Sequence, residues 1–330
     1  MGIVKNTLTV AAMSVALAAN VAHAENKKIA MVVKSVGNPF FDAAHKGAEE
    51  AAKELGNVDI IYTGPTDTKP EGQIDLINSL IAQHVDAIEI SANDRDALVP
   101  VLKKAMQRGI TVISFDSGVA PAGRLMQLDP SSITLIGDTC DKLAADHLPD
   151  GGDVAILSAS ATATNQNAWI AAMKQALPKY KGMKFVAVAY GDDKSDKSYT
   201  ETQGLIKSYP NLKAIISPDS VGIVAAAQAV EDAHMVGKIN VTGLGLPSAM
   251  AAHVHAGSSK SFAVWNPIDL GYSATMVTYN LMTGKAKAEP GAEISMGRMG
   301  KIKLDANREA AMAPPTVYDA KNVDQYAKVF

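Results

Sequence analysis

The feature that most constrains this chain is its rhythm. Short apolar runs alternate with amphipathic stretches, and strand starts recur about every 25–30 residues, the length of one βαβ step. Residues 28–34 (KIAMVVK) read as a buried strand. Residues 41–55 then carry Phe41, Ala44, Ala48, Ala51, Ala52 and Leu55 at helical spacing, closed by Gly56. Strands follow at 58–62, 85–90 and 110–115, with helices at 71–83 and 97–107. After Pro130 the alternation resumes. Helices are expected at 133–148, 169–177, 199–208 and 221–233, and strands at 154–158, 184–190, 214–217, 239–244 and 262–265. Two such series predict an α/β fold of two doubly wound, Rossmann-like lobes. A late helix at 270–282, with strands near Ile294 and at 301–304, is surplus to the second series. Such a surplus implies several crossings between lobes, hence a multi-strand hinge. The expected division is 25–129 plus 267–298 for the first lobe and 130–266 plus 299–330 for the second.

The first 24 residues read as an address. Lys5 gives a short positive region, residues 8–19 are small and apolar, and Ala22-His23-Ala24 fits an A-x-A cleavage pattern. The apolar run is shorter than the ~20 residues of a spanning helix. Cleavage after Ala24 and residence in a bacterial periplasm are therefore expected. That compartment offers no ATP, which counts against kinases and synthetases. Residue Cys140 is the single cysteine, so neither an internal disulfide nor a CxxC site can form. A net charge of −3 over 330 residues gives no electrostatic pull on nucleic acid.

In open α/β sheets ligands bind beyond the carboxyl ends of the strands. Those positions hold Lys34, Asn38, Phe40 and Phe41 after the first strand, and Asp116 after the fourth. The later strands are followed by Asn165, Gln166 and Trp169, by Pro218 and Ser220, and by Trp265 and Asn266. Aromatic residues are only 5% of the chain, yet both tryptophans and three of six phenylalanines fall at or beside these ends. Amides, hydroxyls, carboxylates and a lysine beside flat rings suit a neutral polyol, whose hydroxyls both donate and accept. Hydrogen bonds to charged groups contribute ~1.5–3 kcal/mol each, and a micromolar site needs about 8 kcal/mol in total. Plainer roles stand beside these. Asn38 before Pro39 is also a good helix cap, Phe41 lies on an apolar helix face, Trp169 can be half wall and half core, and Asp116 can be a cap or a structural acid.

Other motifs carry less. Gly243-Leu244-Gly245 starts like a dinucleotide fingerprint, but Ser248 replaces the third glycine and Pro247 interrupts the loop. His253 and His255 diverge on a helix and read as surface residues. Asp192, Asp193 and Asp196, interleaved with Lys194 and Lys197, read as a solvated loop. A Schiff-base role for Lys34 lacks a paired acid or base. No cofactor or metal is expected.

The stretch VVKSVGNPFF followed by AHKGAEEAAKELG resembles the opening of periplasmic pentose- and hexose-binding receptors of the ribose-binding type, and the likeness spans essentially the whole mature chain. The resemblance implies the type I periplasmic binding fold. It also assigns Asn38 and Phe40–Phe41 to the amide and stacking rings, and Asp116 to gripping ring hydroxyls. Ser117 stands where that family often has arginine. Lys34, Asp116, Asn165-Gln166-Asn167, Trp169, Pro218 and Trp265 are more similar to the branch holding rhamnose- and autoinducer-2-binding receptors. Relative to the autoinducer receptors, Asn165 replaces an aspartate and Ser220 a small apolar residue. The ATNQNAW, VTGLGLPSAMA and WNPIDLGY stretches lie nearer the rhamnose receptors. The resemblance therefore implies a monomeric receptor that binds a sugar, L-rhamnose or alternatively autoinducer-2. It would deliver that ligand to the membrane permease and ATPase subunits of an ABC importer and catalyse nothing itself.

Overall fold

The computed structural model describes residues 26–330, so the segment read as an export address and its expected cleavage point lie outside the described residues. The first series is β1 (Lys27–Val32), α1 (Pro39–Leu55), β2 (Val58–Thr63), α2 (Pro70–Ala82), β3 (Ala87–Ile90), α3 (Val99–Gln107), β4 (Thr111–Phe115) and β5 (Gln127–Asp129). The second is α4 (Ile133–Ala145), β6 (Gly152–Ser158), α5 (Thr164–Ala176), β7 (Met183–Tyr190), α6 (Ser195–Ser208), β8 (Leu212–Ser217), α7 (Ser220–Asp232), β9 (Asn240–Gly243), α8 (Pro247–Ala256) and β10 (Ser261–Val264). The chain ends with α9 (Pro267–Met282), β11 (Glu293–Ser295), β12 (Lys301–Lys303), β13 (Glu309–Ala311), β14 (Thr316–Asp319) and α10 (Val323–Tyr326).

Two parallel sheets result. The first has the order β13-β5-β4-β3-β1-β2 and the second β7-β6-β8-β9. Their central strands are buried on both faces. In β1, Ala30 and Val32 pack with Ile77 and Leu80 of α2, with Leu98 just before α3 and with Leu102 within it, while Met31 belongs to the opposite core. Burial on both faces explains why these strands read as continuous apolar runs rather than alternating ones. Strand β10 extends the second lobe through a bridge from Leu244 to Ala263 and pairs antiparallel with β14.

The chain crosses between lobes three times, after β5, after β10 and after β13. Helix α9 returns to the first lobe and lies against α1. Backbone contact there depends on two glycines: a Cβ on Gly47 would sit 1.8 Å from the Ile268 carbonyl oxygen, and one on Gly271 1.8 Å from that of Ala44. Residues 299–330 are expected above with the second lobe, but only their end behaves so. Strand β12 forms a hairpin with β11 beside α9, and β13 pairs in parallel with β5 at the edge of the first sheet. Buried Arg124 fixes that edge by pairing with Glu309 on β13.

Candidate functional site

The loops and helix starts that follow β1, β4, β6, β7, β8, β9 and β10 line one cavity between the two sheets. Eleven of the twelve residues singled out above line it. Asn266 does not. Its Oδ1 accepts from the Ile268 amide at 2.9 Å and caps α9. Asn38 does both jobs: its Oδ1 caps α1 through the Phe40 amide at 3.0 Å, and the residue faces the cavity.

Three side chains form a polar array across the lobes. Lys34 Nζ donates to Asn165 Oδ1 at 2.9 Å and lies 4.0 Å from Asp116 Oδ2. Asn165 Nδ2 donates to Asp116 Oδ1 at 3.0 Å, and Ser91 Oγ donates to Asp116 Oδ2 at 2.8 Å. Asn165 thus bridges the lysine and the carboxylate from the opposite lobe. Asp116 has φ of 55°, a left-handed conformation that aspartate tolerates better than most residues. Burial pushes its carboxyl above the usual range, opposed by the charge of Lys34 and the hydrogen bonds from Ser91 and Asn165.

A buried scaffold holds these loops. Gln73 Nε2 donates to the carbonyls of Val33 and Ser91, and its Oε1 accepts from the Asn93 amide. Asn93 Nδ2 in turn donates to the Lys34 carbonyl at 2.9 Å. The sequence signal for Gln73 was present. It occupies the apolar face of α2, four residues before Ile77, where a lone amide needs partners. In the second lobe Gln166 ties strand ends together, donating to the Pro218 carbonyl at 2.5 Å and accepting from Ser158 Oγ at 3.2 Å.

The rings form one continuous wall. Phe40 meets Phe41 edge to face at 5.2 Å and Trp265 at 6.1 Å, and Trp265 meets Trp169 at 5.6 Å. Phe41 and Trp169 are buried in the core and also line the cavity. The lobes touch further through Thr162 Oγ1 to the Asn93 carbonyl at 2.9 Å and Ser220 Oγ to Asn38 Oδ1 at 3.5 Å.

Two expectations are corrected. Asp193 leaves the solvated loop and joins the cavity lining, together with Asp219, Leu244 and Val264. Asp219 caps α7, accepting from the amides of Val221 and Gly222. Burial, reinforced by the neighbouring Asp193, pushes its carboxyl well above the ordinary range. His253 is buried rather than exposed, with Nδ1 2.7 Å from Glu231 Oε1. Donors, acceptors and an apolar wall in one enclosed space suit a small, hydroxyl-rich molecule with a hydrophobic face.

The fold and crevice are those of two-lobed type I binding proteins. A family model for the periplasmic binding protein domain matches residues 29–286, and the chain belongs to that family. It is 30% identical over 228 residues to the D-ribose/D-allose-binding protein of Pseudomonas aeruginosa, covering 66% of this chain and 70% of that one. A solved ABC transporter solute-binding protein from Clostridium phytofermentas, with bound L-rhamnose, superposes with a TM-score of 0.89. It is 34% identical and covers 93% of this chain and all of its own. LsrB from Clostridium saccharobutylicum, solved with AI-2, has a TM-score of 0.85 over 91% of this chain and 99% of its own. At 21% identity it speaks to the fold alone.

Proposed function

We propose that this chain is the periplasmic sugar-binding component of an ABC importer and that its ligand is L-rhamnose. The observation that carries this is the Lys34–Asn165–Asp116 array set against the Trp169–Trp265 wall in one cross-lobe cavity. The polar array matches ring hydroxyls, and the wall matches the deoxy methyl and C–H faces. The likeness to the rhamnose-bound Clostridium phytofermentas protein supports the choice of sugar. The mechanism is closure of two lobes about the three-strand hinge. Each lobe supplies part of the grip, so the ligand favours the closed form by its extra contacts there. The closed receptor, a monomer, then docks on the permease while separate subunits hydrolyse ATP.

The chain acts as a carrier and performs no chemistry. Lys34 Nζ is engaged by Asn165 Oδ1, which suits holding a hydroxyl better than attacking a carbonyl. The N-terminal segment directs export and is removed after Ala24. Titration calorimetry with L-rhamnose and with autoinducer-2 tests the assignment. Saturable heat with rhamnose alone is expected. Heat with autoinducer-2 and none with rhamnose would overturn the choice of ligand.

A further inference from the structure

One carboxylate oxygen at the cavity has no hydrogen-bond partner among the described residues. Asp193 Oδ2 is shut off from solvent and receives no hydrogen bond. Its neighbour in the loop, Asp192, is paired with Lys197 at 2.6 Å, so that lysine does not serve Asp193. Both residues have left-handed backbone, with φ of 56° and 54°. The two lie consecutively after β7, and it is Asp193 that reaches the cavity lining. There it faces a second carboxylate, Asp219, whose oxygens are already used by the α7 amides. Burial, the charge of Asp193 and a hydrogen bond to it push the Asp219 carboxyl well above its ordinary range. Asp219 thus keeps its proton for one Asp193 oxygen, and Oδ2 is the oxygen that still lacks a donor.

A complementary group lines the same cavity. Trp265 is 3% exposed, lines the same space, and its indole Nε1–H has no acceptor. The cavity therefore holds one orphan acceptor and one orphan donor, in addition to the Lys34–Asn165–Asp116 array. Leaving buried polar groups without partners is unfavourable. A native site that keeps such a pair is complete only when a ligand supplies the missing atoms.

We infer that Asp193 is a ligand-gripping residue that sets the class of molecule admitted: a neutral sugar ring that donates a hydroxyl hydrogen to Asp193 and accepts one from Trp265. This rests on the sugar-receptor reading above and extends it. A uronate, aldonate or sugar phosphate would set a further negative charge against Asp193 and is disfavoured. An amino sugar would meet Asp193 favourably but would also enter a cavity that already contains Lys34.

The test is calorimetry on the full mature chain and its Asp193→Ala and Asp193→Asn variants. The panel contains L-rhamnose, its monodeoxy analogues, L-rhamnonate, a hexuronate and an amino sugar. Circular dichroism and apo melting establish that each variant is folded. The expected result is at least a tenfold loss of rhamnose affinity in Asp193→Ala. One monodeoxy analogue should be bound equally by wild type and Asp193→Ala, because it lacks the hydroxyl that Asp193 receives. Asp193→Asn should narrow the gap between the neutral sugar and the acidic analogues. Unchanged rhamnose affinity in Asp193→Ala, or an equal loss for every analogue, would overturn the role of Asp193 and leave the receptor reading intact. A wild type that prefers the acid or the amino sugar, or binds no neutral sugar, would overturn both.

Discussion

Glu89 offers a prediction whose size follows from its surroundings. It lies on β3 against α9, fully buried, with Oε2 accepting from Thr275 Oγ1 at 3.3 Å and Oε1 without a partner. Burial pushes its carboxyl up to about 8, from 4.5 when free. The folded protein therefore keeps this proton where the unfolded chain has lost it. A folded-state value above the unfolded one gives stability that is complete below pH 4.5 and lost as pH rises through 8. At about 1.4 kcal/mol per pH unit, this amounts to a loss of about 3 kcal/mol by pH 7 and nearly 5 kcal/mol above pH 8. Glu89→Gln keeps the shape and removes the titration. Asp129 and Asp141, which burial holds at about 7 and about 8, contribute slopes of the same sign, but these are common to both proteins and cancel in the difference. Urea unfolding at pH 5, 6, 7 and 8 should show the variant gaining on wild type by about 1.4 kcal/mol per unit across this window. Parallel stability curves would refute the argument, because they would mean that Glu89 is ionised in the fold or is not buried.

Four further outcomes are expected. Asp116→Ala should abolish sugar binding in calorimetry while circular dichroism stays native, since its partners Ser91 and Asn165 are polar groups at a cavity wall; wild-type affinity would remove Asp116 from the site. Lys34→Ala should weaken binding by ~1.5–3 kcal/mol, the range for a charge-assisted hydrogen bond, read as a roughly tenfold to hundredfold rise in Kd. Gly271→Ala should destabilise by about 1–3 kcal/mol or more through overpacking, because the added methyl collides with the backbone of α1; an unchanged melting temperature would contradict that packing. L-rhamnose at 100 times its Kd should add ~2.7 kcal/mol of stability, and in a melting screen across deoxy sugars it should give the largest shift.

Sequence pattern carried the main elements of both sheets because double-sided burial leaves an unmistakable apolar run, as in 28–34. It carried nothing for β5, β13 and β14, which have three or four residues each. A period of two cannot be recognised in three residues, and the pairing of β13 with β5 joins segments about 180 residues apart. That pairing belongs to the hinge, so the number of crossings was inferable and their sheet partners were not. Helix α5 shows another limit. Its first turn, Thr164–Asn165–Gln166–Asn167, is polar and lacks a capping side chain at Ala163, so the helical pattern emerges only at Trp169. Its three amides sit on a helix, where a rigid backbone aims Asn165 at Asp116 and Lys34 in the other lobe.

Asp193 marks the deeper boundary. Interleaved acids and lysines are the signature of a solvated loop, and for Asp192 and Lys197 that signature is correct. The next residue differs only because consecutive left-handed residues reverse the chain after β7 and present it to the crevice. Composition records which charges are present; backbone conformation decides which of them leave water. The ring wall shows the opposite case. Phe40, Phe41, Trp169 and Trp265 are bulky enough that position at a strand end or helix start already constrains where they can go, and all four meet. Large apolar side chains are therefore placed by topology, whereas a single carboxylate is placed by two φ angles. In this crevice, sequence reading placed the rings and Asp116, which directly follows a strand, and missed Asp193 and Asp219, whose places depend on loop conformation and helix capping.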